Sequence, residues 1–381
     1  MNTDLFPAKL AAGEQFCNRV EEQKALVSNI EKSRHTVLVS PRRYGKSSLV
    51  HQVVSQLDFG CASIDLFLAH DDKAVVKRLL TGISEELSQI MSISQKSLVL
   101  IDTLFSQFKT TMSVGTLEVG LAYDKGEVDA AYQVYSALTA LDKLATQKKI
   151  KLIIFINEFQ DISAAENAKS IQGAIRHIAQ QTDHLVFIFS GSNRHLLLEM
   201  FDDKSMPLYM LCDKIQLDRM SSAHYHPHIN QQAIKQWGKP LQDMVFSKIM
   251  TLTERHPFYV NLLCHQIWQG TYPGIEHIEI CWQSCMEQET YRIRSELEKL
   301  SRNQQQVVQA LAIESTAEPT GQAFSTRSGL AVSSLHQTIK TLFEKDVIYK
   351  VTHVDPTVPL LKLNHTRVLD PLIARYLKRY A

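Results

Sequence analysis

Ser40-Pro41-Arg42-Arg43-Tyr44-Gly45-Lys46-Ser47 follows the apolar run Thr36-Val37-Leu38-Val39 and precedes Ser48-Leu49-Val50-His51-Gln52-Val53-Val54. This order predicts a strand, a phosphate loop and a helix. In such a loop (a P-loop) backbone N–H groups cradle an anion, the next helix points its positive end at the same charge, and a lysine and a hydroxyl complete the site. Lys46 would then hold the phosphates and Ser47 a magnesium ion, with Pro41, Arg42, Arg43, Tyr44, Gly45 and Ser48 lining the cradle. A chance Gly-Lys-Ser in a basic turn is the bland alternative, and the strand-like run before it and the amphipathic run after it weigh against that. The pattern G-x-x-x-x-G-K-[ST] has glycine where this chain has Ser40. A side chain tolerates positive φ poorly, so an altered loop geometry is expected there.

Two later runs match the first. Lys151-Leu152-Ile153-Ile154-Phe155-Ile156 is apolar throughout, as strands buried on both faces are, and it ends in Asn157-Glu158-Phe159-Gln160. In P-loop ATPases that strand end carries an Asp that orients the magnesium shell, often followed by a Glu that activates water. Glu158 fits the second role. Asn157 stands in the first without a negative charge, which predicts weaker metal retention and slower turnover rather than loss of nucleotide. His184-Leu185-Val186-Phe187-Ile188-Phe189 then leads into Ser190-Gly191-Ser192-Asn193. Ligands of open α/β sheets gather at the carboxyl ends of strands, so Ser190, Ser192 and Asn193 are candidates for facing the γ-phosphate or its water as sensors, with a plain Ser-Gly turn as the alternative.

Cys61 to Leu68 reads as another strand, followed by an amphipathic helix from Ala74 to Ile90. Residues 92–130 read as an insertion with a helix around Leu98 to Phe108 and a hairpin. Upstream, Val20, Leu26, Val27 and Ile30 give a short helix before the first strand. A helix in that place can cover the adenine side of the site, which makes Phe16 and Arg19 candidates. Phe16 as core and Arg19 as a solvated charge is the equal alternative.

These segments together, with Pro207-Leu208-Tyr209 and His256-Pro257-Phe258-Tyr259, resemble in order the prokaryotic archaeal-type ATPases of the STAND and AAA+ kind, across most of the chain. The resemblance implies an α/β fold: a P-loop ATPase core with a parallel sheet, a helical lid and a C-terminal winged-helix domain, binding ATP and Mg2+. It strengthens Phe16 and Arg19, because Phe16, Arg19 and Glu22 look like the family's opening motif, and it implies that Pro257 of the lid lies against the nucleotide base. The family usually has Asp at Asn157, Gly at Ser40, and often Arg where this chain reads Met210-Leu211-Cys212.

From Ser221 to about Arg302 the pattern is helical, with Pro240, Pro257 and Pro273 at its joints. His224, His226 and His228 alternate around Pro227 and predict a polar loop rather than a metal site. The last stretch reads helix, helix, helix, hairpin: Asn303 to Ile313, Ser325 to Gly329, Ser333 to Lys345, then Val347 to Val351 paired with Leu360 to Leu363. The expected division is 1–220, 221–302 and 303–381. Ser334, Gln337, Lys340 and Thr341 could enter a major groove, with Lys350 and Lys362 meeting phosphates. Glu344 and the lack of arginine on that helix make protein binding an equal prospect.

The 381 residues are 44% hydrophobic and 21% charged, with a formal net charge of +1. That balance gives no global field for nucleic acid or membrane, so such contacts must be local. Met1 to Leu10 carry no signal-peptide pattern and no run approaches a membrane span, so the expected site is the cytoplasm. Six scattered cysteines fit reduced thiols; Cys281 and Cys285, one helical turn apart, lack the matching half of a zinc site. The sequence thus predicts an ATP-binding switch with slow or partner-stimulated hydrolysis, with self-assembly through the core left open. Its rival is a winged-helix DNA-binding regulator whose P-loop domain is a silent scaffold.

Overall fold

Runs of β-branched and aromatic residues that are apolar on both faces need cover on both faces, and they become the inner strands of a parallel sheet. The computed structural model describes residues 5–7, 10–90, 100–101, 103–112, 119–123 and 129–379. They fall into two units. One comprises Val20–Arg42 and Lys46–Leu217; the other comprises Met1–Arg19, Arg43–Gly45 and Asp218–Ala381.

The strands of the first of these are β1 (Thr36–Val39), β2 (Gly60–Asp65), β3 (Phe108–Met112), β4 (Val119–Tyr123), β5 (Leu152–Asn157), β6 (Leu185–Gly191) and β7 (Asp213–Gln216). β3 and β4 pair as the antiparallel hairpin predicted in the insertion. The predicted helix around Leu98 to Phe108 lies partly outside the described residues; Leu100, Ile101, Thr103 and Leu104 are helical. The other five strands form one sheet in the order β2-β5-β6-β1-β7, with every pair parallel. β6 is buried along its whole length, and β5 everywhere but its last residue. Phe159, Phe187, Phe189 and Phe201 pack beside them, with the Phe159 and Phe189 ring centroids 4.7 Å apart.

The sequence predicts no element at β7. Only Ile215 of its four residues is buried, as suits an edge strand, so its composition is polar. Helix Ala130–Lys148 likewise goes unpredicted, although Asp129 caps it by accepting from the N–H of Tyr132 at 3.0 Å.

The second unit is helical up to its hairpin. Helices Ser222–Trp237, Asp243–Thr253, Pro257–Ile267, Ile275–Gln288 and Thr290–Glu298 are followed by Arg302–Ile313, Gln322–Ser328 and Val332–Glu344, then β8 (Ile348–Lys350), β9 (Thr366–Val368) and helix Pro371–Arg379. Phe6 joins their core, its ring 4.6 Å from that of Trp268. Two expectations are corrected here. His224, His226 and His228 lie inside helix Ser222–Trp237, not in a loop. Pro227 lies inside it, past the first turn, and cannot supply the N–H that Ala223 O would otherwise accept; the buried Tyr225 and Ile229 on either side hold the helix through it. The second wing strand is Thr366–Val368 rather than Leu360–Leu363: Leu361 N–H closes a turn onto Val358 O, while Arg367 is held by Glu254 Oε1 at 2.6 Å. The more apolar segment was therefore the wrong one to pair.

In the sheet unit His35 is buried between two backbone groups. Its Nε2 lies 2.7 Å from Ala179 O, and its Nδ1 accepts from Phe187 N–H at 3.2 Å, so the ring is the neutral Nε2–H tautomer. Burial pushes its pKa below the usual histidine value, against the opposing pull of Ala179 O. The unfolded chain then binds the extra proton first, so this contribution is complete above about pH 6.5 and declines as pH falls through that value. His35→Gln should cost about 1–3 kcal/mol at pH 7.5, because it leaves Phe187 N–H unpaired. Urea denaturation should show stability falling less steeply below pH 6.5 in the variant than in the wild type, and equal slopes would contradict the assignment.

Candidate nucleotide-binding site

Register brings the polar strand ends together. Val39 of β1 pairs with Gly191 of β6, Ile156 of β5 with Phe189, and Asp65 of β2 with Asn157. The residues after β1, β5 and β6 therefore emerge side by side at one edge, the place where such sheets bind ligands.

Beyond β1, Ser40 and Pro41 are buried, Arg42 and Arg43 exposed and Tyr44 buried. Ser40 is not among the residues with positive φ; those in the loop are Arg43 at 65° and Gly45 at 89°. The geometric cost predicted at Ser40 is therefore not incurred there, and its hydroxyl donates to Pro41 O at 3.1 Å. Left-handed residues alternating with an ordinary one turn backbone N–H groups toward a common hollow, a shape that suits anions. A Cβ on Gly45 would meet no atom within 4 Å, so glycine is needed there for its φ and not for space.

Helix Lys46–Val54 starts immediately after, with Lys46 7% exposed and Ser47 and Ser48 half-buried in its first turn. The ammonium of Lys46 donates to Ser40 O and Pro41 O, each at 3.1 Å, and to Ser40 Oγ at 3.3 Å. The start of a helix and a buried cation beside it are the elements of a phosphate site.

The loop tip counts with the helical unit, and its contacts there are specific. Arg19, 5% exposed, donates to Tyr44 O at 3.3 Å, and Arg219 Nε to Tyr44 Oη at 3.2 Å. The Tyr44 ring meets His256 edge-on at 4.8 Å, and the Arg43 guanidinium lies 4.2 Å over the ring of Phe258. Burial holds His256 well below the usual histidine pKa, helped by the charges of Arg219 and Arg43. Pro257, half-buried, follows it as the first residue of its helix. Arg19, Tyr44 and the His256-Pro257 turn are thus gathered; Phe16 is half-buried just before Cys17, whose thiol faces His224 O.

At the ends of β5 and β6 the candidates bond to one another. Ser190, fully buried, donates its hydroxyl to Asn157 Oδ1 at 2.7 Å. Glu158 has φ 50° and ψ 41°, a left-handed conformation that costs a residue with a side chain and tends to occur at functional sites. Its Oε2 accepts from Ser192 Oγ at 2.6 Å, from Ser192 N at 3.0 Å and from Gln160 Nε2 at 2.7 Å. Burial alone would raise its carboxyl, but the donors on Ser192 and Gln160 and the nearby Lys46 charge outweigh it and hold the group below the ordinary value. Arg42 Nε in turn donates to Ser192 Oγ at 2.9 Å.

Gln160 is the residue that sequence reasoning quoted without giving it a role. The 3-10 turn Phe159–Ala164 folds its amide back onto Glu158, a reversal that the spacing of the four residues does not announce. A Cβ on Gly191 would fall 2.1 Å from Gln160 Oε1, so glycine is needed between the two serines to leave room for that amide.

The donors offered to a metal are neutral: the Ser47 hydroxyl and the Asn157 amide. Among the described residues no three His, Cys, Asp or Glu are grouped to hold an ion. That set fits magnesium carried in on phosphate oxygens with its waters, not an ion caged by the protein.

Comparison with known proteins bears on the fold. The family profile described as "Probable winged helix domain" matches residues 291–379. No curated protein matches the chain. Among solved structures, the Walker-type ATPase PABY2304 of Pyrococcus abyssi is similar over 98% of this chain and 99% of its own, with TM-score 0.71 and 17% identity. The ORC2 protein of Aeropyrum pernix, solved as ADPNP–ADP complexes, is similar over 98% and 95%, with TM-score 0.58 and 13% identity. The Aeropyrum pernix ORC1 protein, solved in complex with DNA, is similar over 99% and 95%, with TM-score 0.50 and 10% identity. At these identities the likeness is one of fold: that of the Walker-type ATPase and of the ORC2 protein, with residues 291–379 matching a winged-helix profile.

Proposed function

We propose that this protein binds ATP through Pro41 to Ser48 and hydrolyses it slowly, acting as a nucleotide-dependent switch of the STAND and AAA+ kind. The observation that carries the proposal is the buried Lys46 ammonium at the start of its helix, directly after the left-handed Gly45 and near the Glu158 carboxylate. Lys46 exchanges loop oxygens for β- and γ-phosphate oxygens, and the first N–H groups of its helix bind the same charge. Ser47 and Asn157 would hold magnesium, which when bound would offset the negative charge of the phosphates. Glu158 orients the attacking water and accepts its proton, and Ser190 or Ser192 reports the γ-phosphate. Phe16, Arg19 and Pro257 are assigned to the base side of the nucleotide. The chain works in three parts, a core to about residue 220, a lid over 221–302 and a winged helix over 303–381. Its place is the cytoplasm, in keeping with the finding that no described helix is long and apolar enough to cross a membrane.

A second reading, a DNA partner, is favoured by one feature: helix Val332–Glu344 exposes Gln337 and Lys340 on the face opposite its buried Leu335, Ile339 and Leu342. Lys340 lies 3.8 Å from Glu344, so part of its charge is already answered. The solved ORC1 structure in complex with DNA supports trying this surface first.

Lys46→Ala should weaken ATP binding about a hundredfold in a dye-displacement titration, the loss expected for two charge-assisted hydrogen bonds. Unchanged affinity would remove the proposal. Asn157→Asp keeps the acceptor for Ser190 and adds the missing charge; steady-state phosphate release should rise about tenfold, equivalent to ~1.4 kcal/mol at the transition state, and a fall would mean that Asn157 has another role. For DNA, changing Lys340 and Lys350 together to Ala should lower the slope of log affinity against log salt by about 2. Duplex binding with an unaltered slope would place the contact elsewhere.

A further inference from the structure

Ser192 and Arg42 carry an arrangement that the proposed function does not yet use. A serine hydroxyl has one proton to give. Arg42 Nε–H donates to Ser192 Oγ at 2.9 Å, which commits that oxygen as acceptor on one side and directs its proton the other way, to Glu158 Oε2 at 2.6 Å. The N–H of Ser192 and the amide of Gln160 reach the same oxygen. Oε2 therefore holds three donors, while among the described residues no hydrogen bond reaches Oε1.

We propose that Ser192 and Arg42 are positioning residues for Glu158, fixing its carboxylate so that Oε1 alone receives the proton of the attacking water. This rests on the reading of the site as one that hydrolyses ATP. In that step an O–H bond of water breaks and its proton goes to Oε1, while the water oxygen bonds to the γ-phosphorus. The bond from that phosphorus to the bridging oxygen breaks, and its electron pair leaves with ADP. The proton then passes from Oε1 to the released phosphate or to solvent. Because Arg42 belongs to the phosphate loop and Glu158 to the end of β5, the relay ties the aim of the base to the conformation of the loop. Asn193, which follows Ser192, caps helix Arg194–Asp202 by accepting from Leu196 N–H at 3.2 Å, so the backbone N–H of Ser192 is held at a fixed helix start. The hydroxyl contact is then the adjustable one of the pair.

The experiment compares full-length wild type with Ser192→Ala, Ser192→Thr, Arg42→Ala and the Arg42→Ala/Ser192→Ala double variant, measuring phosphate release at varied ATP and ATP affinity by dye displacement. Ser192→Ala should lower kcat about tenfold, the loss of one hydrogen bond to a charged group, with KM and affinity within about twofold of wild type. Ser192→Thr, which keeps the hydroxyl, should return kcat to within about threefold of wild type. Any part that Arg42 plays in binding appears in KM; in kcat, the double variant should be no slower than Ser192→Ala alone. A wild-type kcat in Ser192→Ala, failure of threonine to rescue, or multiplicative losses in the double variant would each overturn the relay.

A wild type that binds ATP and releases no phosphate overturns the hydrolysis reading instead. The relay is then decided by urea midpoints of the same proteins together with Glu158→Ala. Arg42 and Glu158 share no hydrogen bond or ion pair among the described residues, so the relay requires their midpoint shifts to be non-additive when Ser192 is present and additive when it is alanine. Additive shifts in both backgrounds would overturn it.

Discussion

The ammonium of Lys46 sits almost out of reach of water, and the shape of the phosphate loop follows from where its N–H groups go. A buried cation without oxygen partners is costly enough that the chain must supply them. Here they come from Ser40 and Pro41, the two residues that leave β1. Holding the lysine back onto the start of its own loop closes the loop into a ring, and that closure requires a tight reversal near Gly45. The left-handed φ of Arg43 and Gly45 is the backbone expression of this demand. Serine in place of the usual glycine at position 40 adds an acceptor without adding strain, so the departure from the motif changes the partners of the lysine more than the path of the chain.

The same economy governs the neighbouring strand ends. In the order β2-β5-β6-β1-β7, β6 lies between β1 and β5, so the residues after β6 can reach both the loop and the acidic strand end. Ser190 turns to Asn157 on the β5 side, while Ser192 meets both Arg42 of the loop and Glu158. Both hydroxyls read from sequence as sensors are engaged by the protein itself. In the proposed role as sensors they would exchange partners rather than fill an idle valence.

What the sequence disclosed and what it withheld divide along physical lines. The phosphate loop, β5 and β6 were legible because burial on both faces forces a composition that no surface segment shares. β7 was not, since an edge strand with one buried residue, Ile215, has no such constraint. The helix holding His224, His226 and His228 was obscured by Pro227, which signals a break in general; here the buried Tyr225 and Ile229 hold the helix through it. The second wing strand was misplaced because its defining residue, Arg367, is there for a charge partner more than a hundred positions away, and local hydropathy cannot see that. At the site, the places of Lys46 and Ser47 at the start of a helix and of Asn157 and Glu158 at the end of β5 were legible from the runs beside them. Gln160 and the Arg42–Ser192 contact depend on side-chain direction, which one chain read alone does not contain.

That charge partner sets a constraint of its own in the helical unit. Glu254 is 5% exposed and accepts from Arg367, from Arg219 and from the hydroxyl of Tyr349, while Arg219 stacks on the Tyr349 ring at 4.2 Å. Burial would raise the carboxyl, but the two arginines and the tyrosine hydroxyl together hold it below its ordinary value. A buried group of this kind adds little net stability over well-packed apolar residues, because desolvation consumes most of the attraction. Removing a single member, however, leaves an uncompensated charge, so the members must be placed together or not at all. Arg219 spends its remaining donors on Leu369 O and on Tyr44 Oη. The aromatic residue of the phosphate-loop tip is therefore seated by an arginine whose own position is set by Glu254 and the wing strands. The requirement that no member of the group be left unpaired gives the unit its register.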